Sequence, residues 1–155
     1  MNLQITSASW NILSTARFLR ITLMTEMGEI TVLPGHEPLL SAIRPGIMSI
    51  DMIDDTSWEE IHGEYVSGGG VINISPESCV IVADVIENGD HLTDLEYIAS
   101  QKKEAEEMMR SYREENGSAV DPKRLIELEY ELLKYSAMHR LWQRYHIENT
   151  TGTRK

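Results

Sequence analysis

The spacing of the hydrophobic residues changes once along the chain, near residue 90, and this restricts it to a β unit followed by a helical one. Before that point, short runs alternate apolar and polar residues with period two. Leu19, Ile21 and Leu23 alternate with Arg20 and Thr22, Ile30 and Val32 with Glu29 and Thr31, and Met48, Ile50 and Met52 with Ser49 and Asp51. Ile61, Gly63 and Tyr65 alternate with His62 and Glu64, while Ile72 and Ile74 flank Asn73. Val80 to Val85 is apolar on both faces except at Asp84, the pattern of an interior strand. Pro34-Gly35, Pro45-Gly46, Ser67 to Gly70, Ser75-Pro76 and Glu87 to Asp90 separate the runs as turns. No amphipathic helix interrupts the strands, so the pattern predicts an antiparallel sandwich or barrel over residues 1–90 and excludes a βαβ arrangement.

From Thr93 onward the period is that of a helix. Thr93-Asp94-Leu95-Glu96 matches a capping box, with Thr93 as the cap and Glu96 reaching back. Leu95, Ile98, Ala105, Met109 and Tyr112 make one apolar stripe, which Lys102 interrupts, and Asn116-Gly117 supplies the stop. Asp121-Pro122 opens a second helix as N-cap and N1. The short connection predicts an antiparallel α-helical hairpin over residues 91–147, followed by a flexible tail over 148–155. On the second helix, Leu125, Leu128, Leu132, Tyr135 and Trp142 form one stripe, beside a second made by Ile126, Tyr130, Leu133, Ala137 and Leu141. Two stripes are more than one short helix would cover, which predicts a second binding surface. Glu127, Glu129 and Glu131 in its first half and Lys134, Arg140 and Arg144 in its second suit the helix dipole.

Composition narrows the partners. The net charge is −11, from 25 acidic and 14 basic residues, and would repel a phosphate backbone or an anionic lipid surface. Nucleic acid is therefore not an expected partner, whereas cationic or apolar protein surfaces are. Cys79 is the single cysteine and stands in an apolar run, where a thiol packs as a small inert hydrophobe. No apolar run approaches the roughly 20 residues that span a bilayer, and the first residues carry no leader pattern, so contact with a membrane is expected only through other proteins.

Motifs for chemistry are missing. The glycines at 68–70 lack the spacing and following helix of a phosphate loop, and read as a tight turn or bulge. His36, His62, His91, His139 and His146 form no zinc-binding pattern, and no nucleophile elbow occurs. No catalytic, cofactor-binding or metal residue is assigned, and the chain is expected to couple other proteins. A free-standing adaptor that binds peptides or partner helices is the alternative.

One stretch is more specific. Gly28-Glu29-Ile30-Thr31-Val32-Leu33-Pro34-Gly35-His36-Glu37-Pro38-Leu39-Leu40, followed by Ala42-Ile43-Arg44-Pro45-Gly46, resembles the epsilon-subunit family of F-type ATP synthases, equivalent to the mitochondrial delta subunit. Tyr65-Val66-Ser67-Gly68-Gly69 and Val80-Ile81-Val82-Ala83-Asp84 resemble two later motifs of that family, and Leu3 to Ser7 fits its opening strand. The resemblance implies a β-sandwich and helical hairpin in a rotating central stalk, against the gamma subunit and the ring of c subunits, with transient contact to alpha and beta. It implies a peripheral place on the cytoplasmic face of a bacterial inner membrane, or the equivalent organelle face. It places the loop from Glu29 through Pro34, Gly35, His36 and Pro38 near the ring, and Ser7 near gamma. For His36 the residues themselves suggest a structural hydrogen bond within the turn. In bacterial relatives the hairpin can extend toward alpha and beta and inhibit ATP hydrolysis, which assigns docking to Lys134, Arg140 and Arg144.

The chain departs from the family pattern in places. Thr31 stands where the family has a second glycine, and the tail beyond His146 is longer than usual. Where ATP-sensing members carry Asp and Arg at the start of the first helix, this chain has Thr93 and Glu96. A carboxylate there would repel phosphate, so weak or no ATP binding is expected.

Overall fold

The computed structural model describes residues 1–7, 11–15 and 17–150, apart from the side chains of residues 11, 12, 15 and 148–150. The period-two region forms β1 (Asn2–Ser7), β2 (Asn11–Thr15), β3 (Phe18–Thr25), β4 (Gly28–Val32) and β5 (Leu39–Ile43). It continues as β6 (Gly46–Ile53), β7 (Glu60–Ser67), β8 (Gly70–Ile74), β9 (Ser78–Ala83) and β10 (Ile86–Asn88). Their hydrogen-bonded order is β10-β7-β6-β3-β5-β8-β9-β1-β2, with β4 added to β3. The hinge of this sheet is narrow, because β3 meets β5 only where Thr25 faces Ile43. On one side of it lie β10, β7, β6, β3 and β4, and on the other β5, β8, β9, β1 and β2. The two halves fold face to face as a sandwich.

Alternation decides what faces inward. Leu3 and Ile5, Ile21 and Leu23, Met48 and Ile50, Ile72 and Ile74, and Ile81 all enter one core with Phe18, Val32, Ile43 and Cys79. Each such side chain, fully buried, contributes about 1.5–3 kcal/mol. Cys79 is buried, and its surroundings push the thiol up to about 11, so it packs as a hydrophobe.

The structure corrects four expectations. The sheet is not wholly antiparallel, because β1 runs parallel to β9, from Asn2 beside Ser78 to Ser7 beside Ala83. The run at Val80 is central in hydrogen bonding, between β8 and β1, yet its outer face is open and Val82 is 50% exposed. Residues 29–36 are not one loop: Glu29 to Val32 belong to β4. Finally, Asp94 rather than Thr93 caps the first helix, its carboxylate accepting from Tyr97 N at 2.8 Å. A carboxylate is a good acceptor at a helix N-terminus, where it also meets the positive end of the helix dipole.

The hairpin is α1 (Leu95–Asn116) and α2 (Pro122–Thr150). Gly117 closes α1 at φ 51, and the Asn116 side chain donates to Tyr112 O at 2.8 Å. Asp121 caps α2 through Lys123 N at 3.1 Å, and its own N–H donates to the Tyr112 hydroxyl at 3.0 Å, tying the two helices together. Ile98, Ala105 and Met109 are buried on α1. On α2, Leu128, Ala137, Met138 and Leu141 are buried. α2 lies between α1 and the sheet, packing on β6 and β7. Part of the second stripe is covered by the sandwich itself, while Ile126 stays 51% exposed: an alanine side chain at Gly69 would touch the Tyr130 ring, and Ala137 and Leu141 share a cluster with Val66 and Ile47. The tail expected over 148–155 lies, beyond the helical backbone of α2, outside the described residues.

Candidate functional site

Strand register sorts the assigned residues to opposite ends of the sandwich. Ser7, Ala83, Gly70, Ile43 and Thr25 stand in one row at one end. The loop after β4, the β6–β7 loop and the β8–β9 turn lie at the other. Ser7 and His36 are therefore not neighbours.

At the far end the Pro34 turn is rigid for identifiable reasons. His36 N donates to Leu33 O at 3.0 Å, Pro34 occupies the second position and Gly35 has φ 89, the arrangement of a type II turn. His36 Nδ1 and Glu37 O are 2.7 Å apart, so the ring donates within the turn. Pro34, Gly35 and Pro38 are exposed, as is Leu33. A stiff loop with an apolar tip can bear on a partner without rearranging.

At the near end the β3–β4 turn projects Met27, 85% exposed, above a Thr25 hydroxyl that donates to Gly28 O at 2.8 Å and accepts from Met27 N at 3.2 Å. Glu29 follows on β4, and it shares a cleft of about 430 Å³ with Arg44, Ser49, Glu64, Arg140 and Arg144. Glu29 is thus brought beside Arg140 and Arg144 and away from Pro34 and His36. Arg144 donates to Glu64 on β7, and Arg44 donates to Glu129 at 2.7 Å. Lys134 is held by Glu131 at 2.9 Å and lies 4.7 Å from the Tyr135 ring centroid. Arg140 is exposed and makes no ion pair among the described residues. Tyr130 donates to Glu26, and burial first, then that carboxylate, pushes its hydroxyl up to about 12.

Sequence reasoning missed a polar ladder on the outer face of β3, β6 and β7. Asp51 is 7% exposed and takes Arg20 Nε at 2.7 Å on one oxygen and His62 Nδ1 at 2.5 Å on the other. The register Arg20–Asp51–His62 was the available signal, and it becomes visible only once the strands are paired. The His62 hydrogen bond is the largest influence, and with Arg20 it outweighs burial and holds the Asp51 carboxyl below its ordinary 3.8. A carboxyl lowered by folding stabilises above its ordinary range, and that stabilisation is lost as pH falls through the folded value. Thermal melting followed across pH is expected to fall less steeply below about pH 4 for Asp51→Asn than for the parent chain; identical slopes would contradict the ladder's role.

A cleft of about 530 Å³ between the hairpin and the sandwich is lined by Asp84, Glu104, Glu127 and Glu131 as well as Arg124 and Lys134. Among the described residues no group of side chains could hold a metal ion, and no helix is long and apolar enough to cross a membrane.

Comparison with known proteins gives this geometry a setting. Residues 1–89 match the family model of the ATP synthase delta/epsilon chain β-sandwich domain. A relative named ATP synthase epsilon chain, from Legionella pneumophila (strain Paris), is 38% identical over 78 residues, covering 50% of this chain and 52% of the relative. Another of that name, from Bordetella bronchiseptica, is 33% identical over 118 residues, 76% of each chain. The match thus spans about half the length of the first of these relatives and three quarters of the second. Among solved structures, a chain of the Euglena gracilis mitochondrial ATP synthase OSCP/F1/c-ring assembly superposes with a TM-score of 0.65 at 23% identity, covering 89% of this chain and 78% of that one. A chain of the Tetrahymena thermophila mitochondrial ATP synthase central stalk and c-ring does so at 0.55 and 16% identity, covering 94% and 95%. At these identities the superpositions bear on the fold, a sandwich carrying a helical hairpin.

Proposed function

The chain belongs to the ATP synthase delta/epsilon family, and we propose from that premise that it is a rotor subunit linking gamma to the c-ring in an ion-driven ATP synthase. The observation that carries this reading is that the family match over residues 1–89 coincides with the sandwich and contains the rigid Pro34 turn. Coupling needs stiff surfaces, because a loop that yields under load dissipates the torque it should pass on. The subunit does no chemistry itself; it sits peripherally, at the cytoplasmic face of a bacterial membrane or its organelle equivalent, through its partners. Its Pro34–Pro38 turn, Glu29 and Ser7 serve as contacts to ring and gamma. Affinity capture of the tagged chain from its native membrane should recover gamma and c subunits together. Recovery of neither, with the chain intact and soluble, would overturn the assignment.

Within the same reading, the hairpin is an inhibitory arm whose Lys134, Arg140 and Arg144 dock on the alpha and beta subunits. Deleting the residues after about 120 is expected to raise ATP hydrolysis of the assembled enzyme several-fold while leaving assembly intact. The core of the sandwich contains no hairpin residue, which is why assembly should survive. Unchanged hydrolysis would count against the arm.

A further inference from the structure

A second loop projects from the far end of the sandwich beside the Pro34 turn. β4 and β6 lie on the two edges of β3, so the loops that follow them leave the sheet about 10 Å apart. In the β6–β7 loop Trp58 has φ 60 and is 69% exposed. That backbone region suits glycine, and a bulky side chain held there is strained. The loop is built to hold it. Asp54 Oδ1 accepts from Thr56 N at 2.9 Å and from Ser57 N at 2.6 Å, and Asp54 O accepts from Trp58 N at 3.1 Å. Asp54 N donates to Glu59 O at 2.9 Å, and Ser57 Oγ accepts from Glu59 N at 3.3 Å. The Arg17 guanidinium lies 4.0 Å from the centroid of the Trp58 ring, with its Nε 3.3 Å from Asp55. The ring is thus propped from within while most of it faces solvent.

We propose that Trp58 anchors a second contact of the coupling surface, entering an apolar recess rimmed by lysine or arginine on the subunit that the Pro34 turn bears on. The choice of that partner rests on the rotor reading. For the isolated chain the arrangement is a loss, because the backbone is strained and a large apolar ring stays in water. A partner that covers the ring recovers the burial, and tryptophan is among the side chains that most often carry interface energy. Charge defines the rim of the recess. Asp55, Glu59 and Glu60 stand around Trp58 in its loop, Glu37 stands on the Pro34 turn, and all four are exposed. An acidic margin around two apolar tips, Trp58 and Leu33, matches basic groups and repels an anionic lipid surface. Two stiff points set apart on one end also resist twisting about either of them, which a single turn does not.

The test uses the full chain and the native enzyme stripped of it. Rebinding of Trp58→Ala should be weaker by about 10- to 100-fold, and that of Trp58→Phe by less than about fivefold. Trp58→Gly relieves the strain, so it should melt no lower than the parent chain and still rebind as poorly as Trp58→Ala. Combining Glu59→Gln with Glu60→Gln should flatten the salt dependence of rebinding. A photoreactive benzoylphenylalanine in place of Trp58 should cross-link, in the assembled enzyme, to one peptide of gamma or of the ring in which lysine or arginine adjoins apolar residues. Rebinding of Trp58→Ala at the parent affinity would overturn the proposal, as would cross-links to lipid or to nothing. So would a Trp58→Gly chain that melts several degrees lower, since the loop would then be a clasp serving only the fold. Failure of the parent chain itself to rebind would overturn the rotor reading instead, which keeps the two failures distinguishable.

Discussion

Gly70→Ala is expected to remove about 3–6 kcal/mol of stability, from backbone strain and steric overlap together, which is a large share of what a domain this size possesses. Gly70 opens β8 at φ +148, where a side chain is strained whatever the space around it. An added Cβ would also overlap the carbonyl oxygen of Val82 and stand 2.6 Å from Ala83 Cα. Both obstacles are main chain, and β9 is pinned on both edges by β8 and β1. Moving them would open the Ser7–Ala83–Gly70–Ile43 row next to the hinge of the sheet. Gly28→Ala is the matched control, since Gly28 has φ +114 but nothing within 4 Å of the new atom. It should cost only the strain, about 1–2 kcal/mol. Urea denaturation of both variants decides the matter: equal small losses would mean that β9 yields and the overlap is relieved cheaply.

The sandwich was legible where alternation and turn chemistry coincided. Ile21, Leu23, Met48, Ile50, Ile72 and Ile74 were assigned to one face of their strands by period alone, and all are buried. What escaped was set by pairing. β5 (Leu39–Ile43) follows directly on a proline turn and has no strong polar residue to mark its outer face, so the turn motif hid it. β10 has three residues, too few to show a period. The parallel partnership of β1 and β9 depends on which strands the folded sheet places side by side, and nothing local to Leu3 or Val80 encodes it. The start of α1 lies one residue beyond the one the capping box predicts, because Asp94 caps as well as Thr93 and its carboxylate takes Tyr97 N.

The candidate site was legible as a list and not as an arrangement. The Pro34–Pro38 motif announced its turn, since Pro then Gly dictates a type II geometry wherever it falls. Glu29 stood five residues before Pro34 and was grouped with it. In a strand, five residues are roughly 16 Å, and β4 carries Glu29 to the end where Arg140 and Arg144 lie. The two apolar stripes of α2 are more than one helix covers, and part of what covers them lies within the chain. The sandwich covers Ala137 and Leu141, because Val66, Ile47 and Val85 leave an apolar patch on its own flank, and Ile126 stays 51% exposed.

This shared patch makes Leu141→Asp the most informative substitution in the hairpin. Leu141 is fully buried against it, so an aspartate there loses about 2–5 kcal/mol of packing and adds an unpaired buried carboxylate. The chain has a cheaper course than carrying that cost. The cluster around that patch and the sandwich core share no residue, so α2 can leave the sheet, hydrate the carboxylate and keep β1 to β10 intact. The expected outcome is therefore division of the molecule into two parts, not general collapse. Calorimetry should show the sandwich transition near its parent temperature, with Cys79 still protected. The hairpin should lose helical ellipticity at lower temperature, because two helices without the sheet bury little beyond Ala105, Met109 and Leu128. A single transition shifted far downward, with Cys79 exposed, would mean that the sandwich needs the hairpin to stay folded. In that case detaching the arm would cost the sandwich its fold, which would count against the inhibitory reading.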